Sequence, residues 1–129
     1  MRSHRLVAVT LLVLLPVAAA CGGDERTSPD TTVAGVQVPA EVMVIDVRTP
    51  EEFAAGHLEG AVNLNVEDGT LQAELADLDP GAEYIVYCRS GRRSAIAAEA
   101  MAAAGFTSVT DLGALNDAAA ETGLPIVTG

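Results

Sequence analysis

The 129-residue chain has no lysine and no tryptophan, and only two tyrosines and two phenylalanines. So few rings leave no stacking platform for bases or sugars, which removes one class of ligand. Seven arginines are its only fixed cations against eighteen acids, and a surface this negative repels nucleic acid and anionic lipid headgroups. Neither is expected as a partner. The apolar stretch at residues 6–17 is interrupted by Pro16 and is shorter than the roughly 20 residues a membrane span needs. Cysteine is scarce as well, with Cys21 and Cys88 the only two.

What stands at the start reads as an address. Arg2 and Arg5 give a basic beginning, residues 6–17 an apolar middle and Ala18-Ala19-Ala20 a small-residue end, the pattern of a secretory signal over residues 1–20. Cys21 follows at once and precedes Gly22-Gly23-Asp24. This resembles the lipobox of bacterial lipoproteins, whose cysteine is lipidated and becomes the mature N terminus, although Ala18 stands where leucine is usual. An ordinary Ala-x-Ala cleavage site is the alternative. The stretch behind Cys21, to residue 34, is polar and small, the composition of a flexible tether. The expectation is therefore an exported protein held at the outer face of the membrane through a lipid on Cys21, with secretion or a periplasmic location as the alternatives.

Without the signal, five arginines face eighteen acids for a net charge of −13, and three of the five, Arg89, Arg92 and Arg93, fall beside Cys88. If Cys21 carries lipid, Cys88 has no disulfide partner within the chain, so its thiol is either buried and inert or chemically employed.

Strand and helix signals alternate along the remainder. Residues 41–46 and 82–88 are short β-rich apolar runs suited to interior parallel strands. Between them Thr49 as N-cap, Pro50, Glu52 closing a capping box and Gly56 as a stop outline a short helix. Residues 60–65 read as a strand, and 68–78 as a helix with Leu71, Leu75 and Leu78 on one face, ended by Pro80-Gly81. The alanine-rich run from Ser94 to Gly105 predicts a further helix with Gly105 past its end and with Ile96 and Met101 in the core. A strand at 106–112, a helix ended by Gly123 and an extended piece at 124–129 complete the pattern. The class is α/β: one small domain over 35–129, expected as a monomer, with a central mostly parallel sheet flanked by helices on both faces.

Cys88 closes the second apolar strand, and the carboxyl ends of parallel strands are where open α/β sheets bind ligands. The six residues Cys88-Arg89-Ser90-Gly91-Arg92-Arg93 then lead through Ser94 into a helix, a geometry that turns backbone N–H groups inward as an anion nest. Amides and cations both favour the thiolate and lower its pKa. Guanidinium forks also suit oxyanions, so the three arginines would draw in a small dianion against the overall repulsion. The plain alternative is a buried thiol with solvated or ion-paired arginines.

These residues carry a likeness. "YCRSGRRS", taken with "VIDVRTPEEFAAGHLEGAVNLN" and "LPIVTG", resembles a single-domain rhodanese-like sulfurtransferase over about residues 33–129. The resemblance implies a rhodanese-like fold and a two-step reaction without metal or organic cofactor: Cys88 takes sulfane sulfur from a small anionic donor of the thiosulfate type, and a thiol or cyanide acceptor removes it from the persulfide. It assigns donor binding to Arg89, Ser90, Gly91, Arg92, Arg93 and Ser94, gives Asp46 and Arg48 a bracing role behind the loop, and makes His57 a structural signature of its turn. Relatives commonly carry Gly-Gly and a tryptophan where this chain has Gly113-Ala114 and Ala118, a departure that bears on the pocket wall. Two rivals follow: a non-catalytic, surface-tethered binding module on the same fold, and a phosphatase or arsenate reductase, whose loop arginine would fall at Ser94 rather than Arg93.

Overall fold

The computed structural model describes residues 38–129; the expected signal, the lipidation site Cys21 and the tether lie outside the described residues. The elements run β1 (Met43–Asp46), α1 (Pro50–Ala55), β2 (His57–Leu58), β3 (Val62–Asn63), α2 (Thr70–Glu74), β4 (Glu83–Cys88), α3 (Arg92–Ala103), β5 (Ser108–Ala114), α4 (Leu115–Thr122) and β6 (Ile126–Val127). Four of the strands make one parallel sheet in the order β3-β1-β4-β5, so β1 and β4 are interior. Their apolar composition follows from that position, since interior parallel strands are covered on both faces. Fold class and parallel sheet are those expected from the alternating signals.

The pleat of β4 sorts its side chains. Tyr84, Val86 and Cys88 enter a core with Ile45, Val47, Leu71, Ala97 and Met101, whereas Tyr87 enters the opposite core with Val44, Leu58 and Ala118. Cys88 thus shares a face with α3, and Ala118 packs on the other side of the sheet.

Local signals explain the best-defined helices. Thr49 caps α1 through a capping box, its hydroxyl accepting from Glu52 N at 3.3 Å while Glu52 Oε2 accepts from Thr49 N at 3.2 Å. The end of α3 is a Schellman turn: Phe106 N–H donates to Met101 O and Gly105 N–H to Ala102 O, both at 3.1 Å, with Gly105 at φ 95°. Phe106 and Met101 meet in the same core, the apolar contact that accompanies this motif.

Several expected elements differ. The helix expected over 68–78 stops at Glu74 and passes into turns, although Leu75 and Leu78 still pack on the core. Glu74, Asp77 and Asp79 crowd the C-terminal end, where the helix dipole disfavours negative charge, and Gly69 at the N-cap supplies no side-chain cap. The strand expected over 60–65 is only Val62–Asn63, with Leu64 N–H still donating to Asp46 O at 2.9 Å. The final extended piece pairs antiparallel with His57–Leu58 as a two-stranded ribbon that the sequence did not signal. Ile96, expected in the core, is 48% exposed. The buried face of α3 is Ser94, Ala97 and Met101, and Ile96 lies one residue out of phase with it.

Candidate active site

Cys88 ends the central strand β4, where the pairing with β5 shifts register between Val86 and Cys88. Only Arg89, Ser90 and Gly91 separate the strand from α3, because the helix already begins at Arg92 rather than after the sixth residue. This short passage depends on Gly91, whose φ of 95° a side chain would strain. The turn brings Gly91 N–H to 2.9 Å from Cys88 Sγ. Ser94, on the first turn of α3, is buried with its Oγ 3.6 Å from the same sulfur, and its hydroxyl donates to Gly91 O at 3.1 Å. Because a hydroxyl rotates freely, it can turn toward the sulfur when the thiol ionises.

Two opposed effects set the charge of this thiol. Burial, the larger single influence, pushes its pKa up, since Cys88 has no exposed surface. Hydrogen bonds from the Ser94 hydroxyl and amide and from the Ser90 and Gly91 amides push it down, and together they prevail, leaving Cys88 below the usual thiol range. The amides and one hydroxyl are therefore the principal stabilisers of the thiolate.

The arginines divide into two kinds. Arg93 was expected to bind a donor, but its Nη1 and Nη2 hold Glu52 at 2.6 and 2.9 Å and its Nη1 also reaches Glu67 at 3.2 Å. The fork fixes α3 to α1 and holds the Glu52 carboxyl at about 2 rather than the ordinary 4.5, chiefly through the Arg93 hydrogen bonds. Arg89 and Arg92 are exposed, and the ion pairs among the described residues involve neither. Glu52 and Glu67 are the members of this cluster that sequence reasoning missed; the capping box accounts for Glu52 locally, and nothing in the pattern couples it to a cation 41 positions away.

Asp46 and Arg48 form a buried pair in which Arg48 Nη2 lies 2.6 Å from Asp46 Oδ2 and Nε 3.0 Å from both carboxylate oxygens. Burial opposes the Arg48 charge, yet the Asp46 bonds prevail and raise its pKa above the usual value. The second partner of Arg48 Nη2 is Gly56 O at 2.5 Å, and its guanidinium sits 5.7 Å from the Tyr87 ring centre. Their hydrogen bonds thus brace the junction of α1 and β2, not the cysteine loop, which was their expected target. His57 belongs to the same junction: its Nδ1 lies 2.8 Å from Phe53 O and its ring stacks on Phe53 at 3.7 Å.

Two clefts adjoin the loop. One, of about 310 Å³, has walls from Arg48, Glu52, Ala55, Arg89, Leu115 and Asn116. The other, of about 460 Å³, has walls from Val66, Glu67, Ser90, Arg92, Arg93 and Ile96.

Comparison with known proteins places this arrangement in context. Residues 30–116 match the rhodanese-like domain family. Thiosulfate sulfurtransferase PspE of Escherichia coli strain K12 is 36% identical over 75 residues, covering 58% of this chain and 72% of that protein. The chloroplastic thiosulfate sulfurtransferase 16 of Arabidopsis thaliana is 35% identical over 109 residues, covering 77% of this chain and 91% of its own. A solved structure described as a rhodanese with anions from E. coli superposes with a TM-score of 0.59 at 34% identity, covering 68% of this chain and 99% of that one.

Two expectations follow from the geometry. The ultraviolet thiolate absorbance of Cys88 should titrate at lower pH in the folded protein than in urea, and Ser94→Ala should move the folded midpoint upward; a folded midpoint at or above the unfolded one would contradict the hydrogen-bond account. Because the folded-state pKa of Glu52 is depressed, its pair with Arg93 stabilises fully above pH 4.5 and the contribution is lost as pH falls through about 2. Glu52→Gln should accordingly unfold at lower urea than wild type at neutral pH, with the gap closing over that interval; a gap independent of pH would show that the charge is not what stabilises.

Proposed function

The chain belongs to the rhodanese-like domain family, and on that footing we propose that it is a sulfurtransferase moving sulfane sulfur from a small anionic donor to a thiophilic acceptor through a persulfide on Cys88. One observation carries the reading: the Gly91 amide points at Cys88 Sγ from 2.9 Å at the carboxyl end of the central strand. A sulfur held this way is ionised more readily than a free thiol, and thiolate is the nucleophile.

With thiosulfate as donor, the Cys88 thiolate attacks the outer sulfur. A new S–S bond forms, the bond to the sulfonate sulfur breaks, and sulfite leaves with the electron pair. The persulfide's terminal sulfur carries the negative charge, and the Ser90, Gly91 and Ser94 amides that favour the thiolate are the nearest fixed dipoles to receive it. An acceptor then attacks that terminal sulfur, and Cys88 departs as thiolate. Arg89 and Arg92, exposed and outside the ion pairs of the described residues, supply the attraction that a domain rich in acids otherwise denies an anion. Arg93 serves by position, anchoring the first turn of α3 to Glu52 so that Gly91 and Ser94 keep their distances to the sulfur.

A second reading has its own observation. Cys88 has no exposed surface, as a non-catalytic binding module on this fold would also have. Intact mass after thiosulfate treatment separates the readings: the sulfurtransferase gains the mass of one sulfur atom, Cys88→Ser gains none, and the binding module gains none as wild type. Phosphate release from an aryl phosphate without sulfur uptake would instead identify a phosphatase.

The same proposal extends to location. The signal pattern over residues 1–20 and Cys21 at its end support an exported lipoprotein, with the domain tethered to the outer face of the membrane by residues beyond Cys21. Cells given labelled palmitate should label the wild-type chain and leave Cys21→Ser unlabelled; equal labelling of both, or of neither, would remove the anchor.

A further inference from the structure

The described domain carries four arginines against fifteen acids, and two of the four are committed to carboxylates inside the fold. The remaining pair, Arg89 and Arg92, do not share a cleft. Arg89 belongs to the smaller and Arg92 to the larger, and no residue is common to the two walls. The partition between them can be identified. Glu52 is in the wall of the first and Arg93 in the wall of the second, so their two-toothed ion pair stands between the clefts and keeps them apart.

Each space holds a free arginine and a carboxylate paired with Arg93, and they differ in size and in their remaining walls. Around Arg89 are the Asn116 amide, the small apolar walls of Leu115 and Ala55, the Arg48 guanidinium already paired with Asp46, and the Glu52 carboxylate already paired with Arg93, leaving Arg89 as the cation open to a compact oxyanion. Around Arg92 are the Ser90 hydroxyl, the Glu67 carboxylate held at 3.2 Å by Arg93, and an aliphatic wall of Ile96 and Val66. Ile96 is 48% exposed, one of three large apolar side chains left so among the described residues, and it stands beside the loop that covers the sulfur. Neither sulfite, thiosulfate nor cyanide has an apolar surface to place there. A space of about 460 Å³ is within the range of small-molecule sites.

Building on the sulfurtransferase reading, we propose that the two half-reactions use separate clefts: the Arg89 cleft receives the inorganic donor, and the Arg92–Ile96 cleft receives a small organic thiol bearing both a carboxylate and an aliphatic surface. Arg92 pairs with the carboxylate, and Ile96 and Val66 cover the aliphatic part. The acceptor's thiolate attacks the terminal sulfur of the persulfide, forming its own S–S bond while the bond to Cys88 breaks. The products are the acceptor's persulfide and the Cys88 thiolate, with no change in total electrons. Ile96, solvent-facing in the helix, thereby becomes a determinant of acceptor choice.

Measuring the halves separately tests this. Loading is followed as sulfur mass gained from thiosulfate, and discharge as its loss from preloaded protein on adding 3-mercaptopropionate, 2-mercaptoethanol or cyanide. Arg89→Ala should lower loading relative to its own discharge about tenfold, the order expected for losing a charged hydrogen bond. Arg92→Ala should do the reverse with 3-mercaptopropionate by a similar factor, and much less with neutral 2-mercaptoethanol. Ile96→Ser, a surface change that leaves the buried face of α3 intact, should lower the discharge-to-loading ratio about fivefold with the mercaptocarboxylate, and leave the ratio for cyanide as in wild type. If Arg89→Ala and Arg92→Ala shift the ratio alike, the arginines form one anion trap and the division is wrong. If Ile96→Ser leaves the mercaptocarboxylate ratio unchanged, the acceptor does not use that wall. Wild type that takes up no sulfur overturns the sulfurtransferase reading itself, a result distinct from either of these.

Discussion

The hydrogen bond from the Gly91 amide to the Cys88 sulfur is the constraint on which the site rests. Burial of a thiol in a core lined by Val86, Ala97 and Met101 favours the neutral form, and that influence is the largest acting on Cys88. The sulfur stays poised for ionisation only because the chain reverses within three residues and returns amides and a serine hydroxyl to it. That reversal requires a left-handed residue at position 91, so the identity of one glycine and the chemistry of one cysteine are a single structural fact.

One ion pair holds the end of that reversal in place, and a second, buried pair fixes a junction away from it. The loop's helical end is tied to α1 by Arg93 and Glu52, and Glu52 is itself fixed by the cap of α1. The Asp46–Arg48 pair, with Gly56 O as its third member, sets the junction where α1 ends and β2 begins. A surface ion pair contributes little in general, but Arg93 and Glu52 are both mostly covered and meet through two parallel bonds, the geometry in which such pairs matter. Committing two arginines to structure has an electrostatic consequence. In a domain dominated by acids, the positive field at the loop comes down to Arg89, Arg92 and the amides, so a change at either residue alters a large fraction of it.

Much of this was legible where the cause is local. The α1 cap follows from Thr49, Pro50 and Glu52 within four positions, and the end of α3 from Gly105, because capping needs only neighbours. Cys88 at a strand terminus followed by a glycine-containing turn was equally readable. What failed depends on distance or on phase. Ile96 was misassigned because an alanine-rich helix offers no contrast between faces from which to fix its rotation; Ala95, Ala97 and Ala98 are chemically alike, yet Ala97 is buried and Ala95 exposed. The partners of Arg93 lie in α1 and just before α2, and the β2–β6 ribbon joins two-residue strands from opposite ends of the domain. No local pattern encodes such pairings.

The departure at Ala118 is resolved by the same geometry. The resemblance expects a large aromatic at this position and its loss to bear on the pocket wall; Ala118 is fully buried in the core on the face of the sheet opposite Cys88. Within α4 the Thr122 hydroxyl donates back to Ala118 O at 2.6 Å. The apolar recess on that side, about 240 Å³ between Val38, Ile85, Leu112 and Thr122, contains none of the loop residues. A smaller side chain there reaches the sulfur's surroundings only through the placement of α4, whose first residues Leu115 and Asn116 form part of the Arg89 cleft. Loss of the aromatic would therefore act on the cleft assigned to the donor before it acts on the thiol, because the sheet itself separates Ala118 from Cys88.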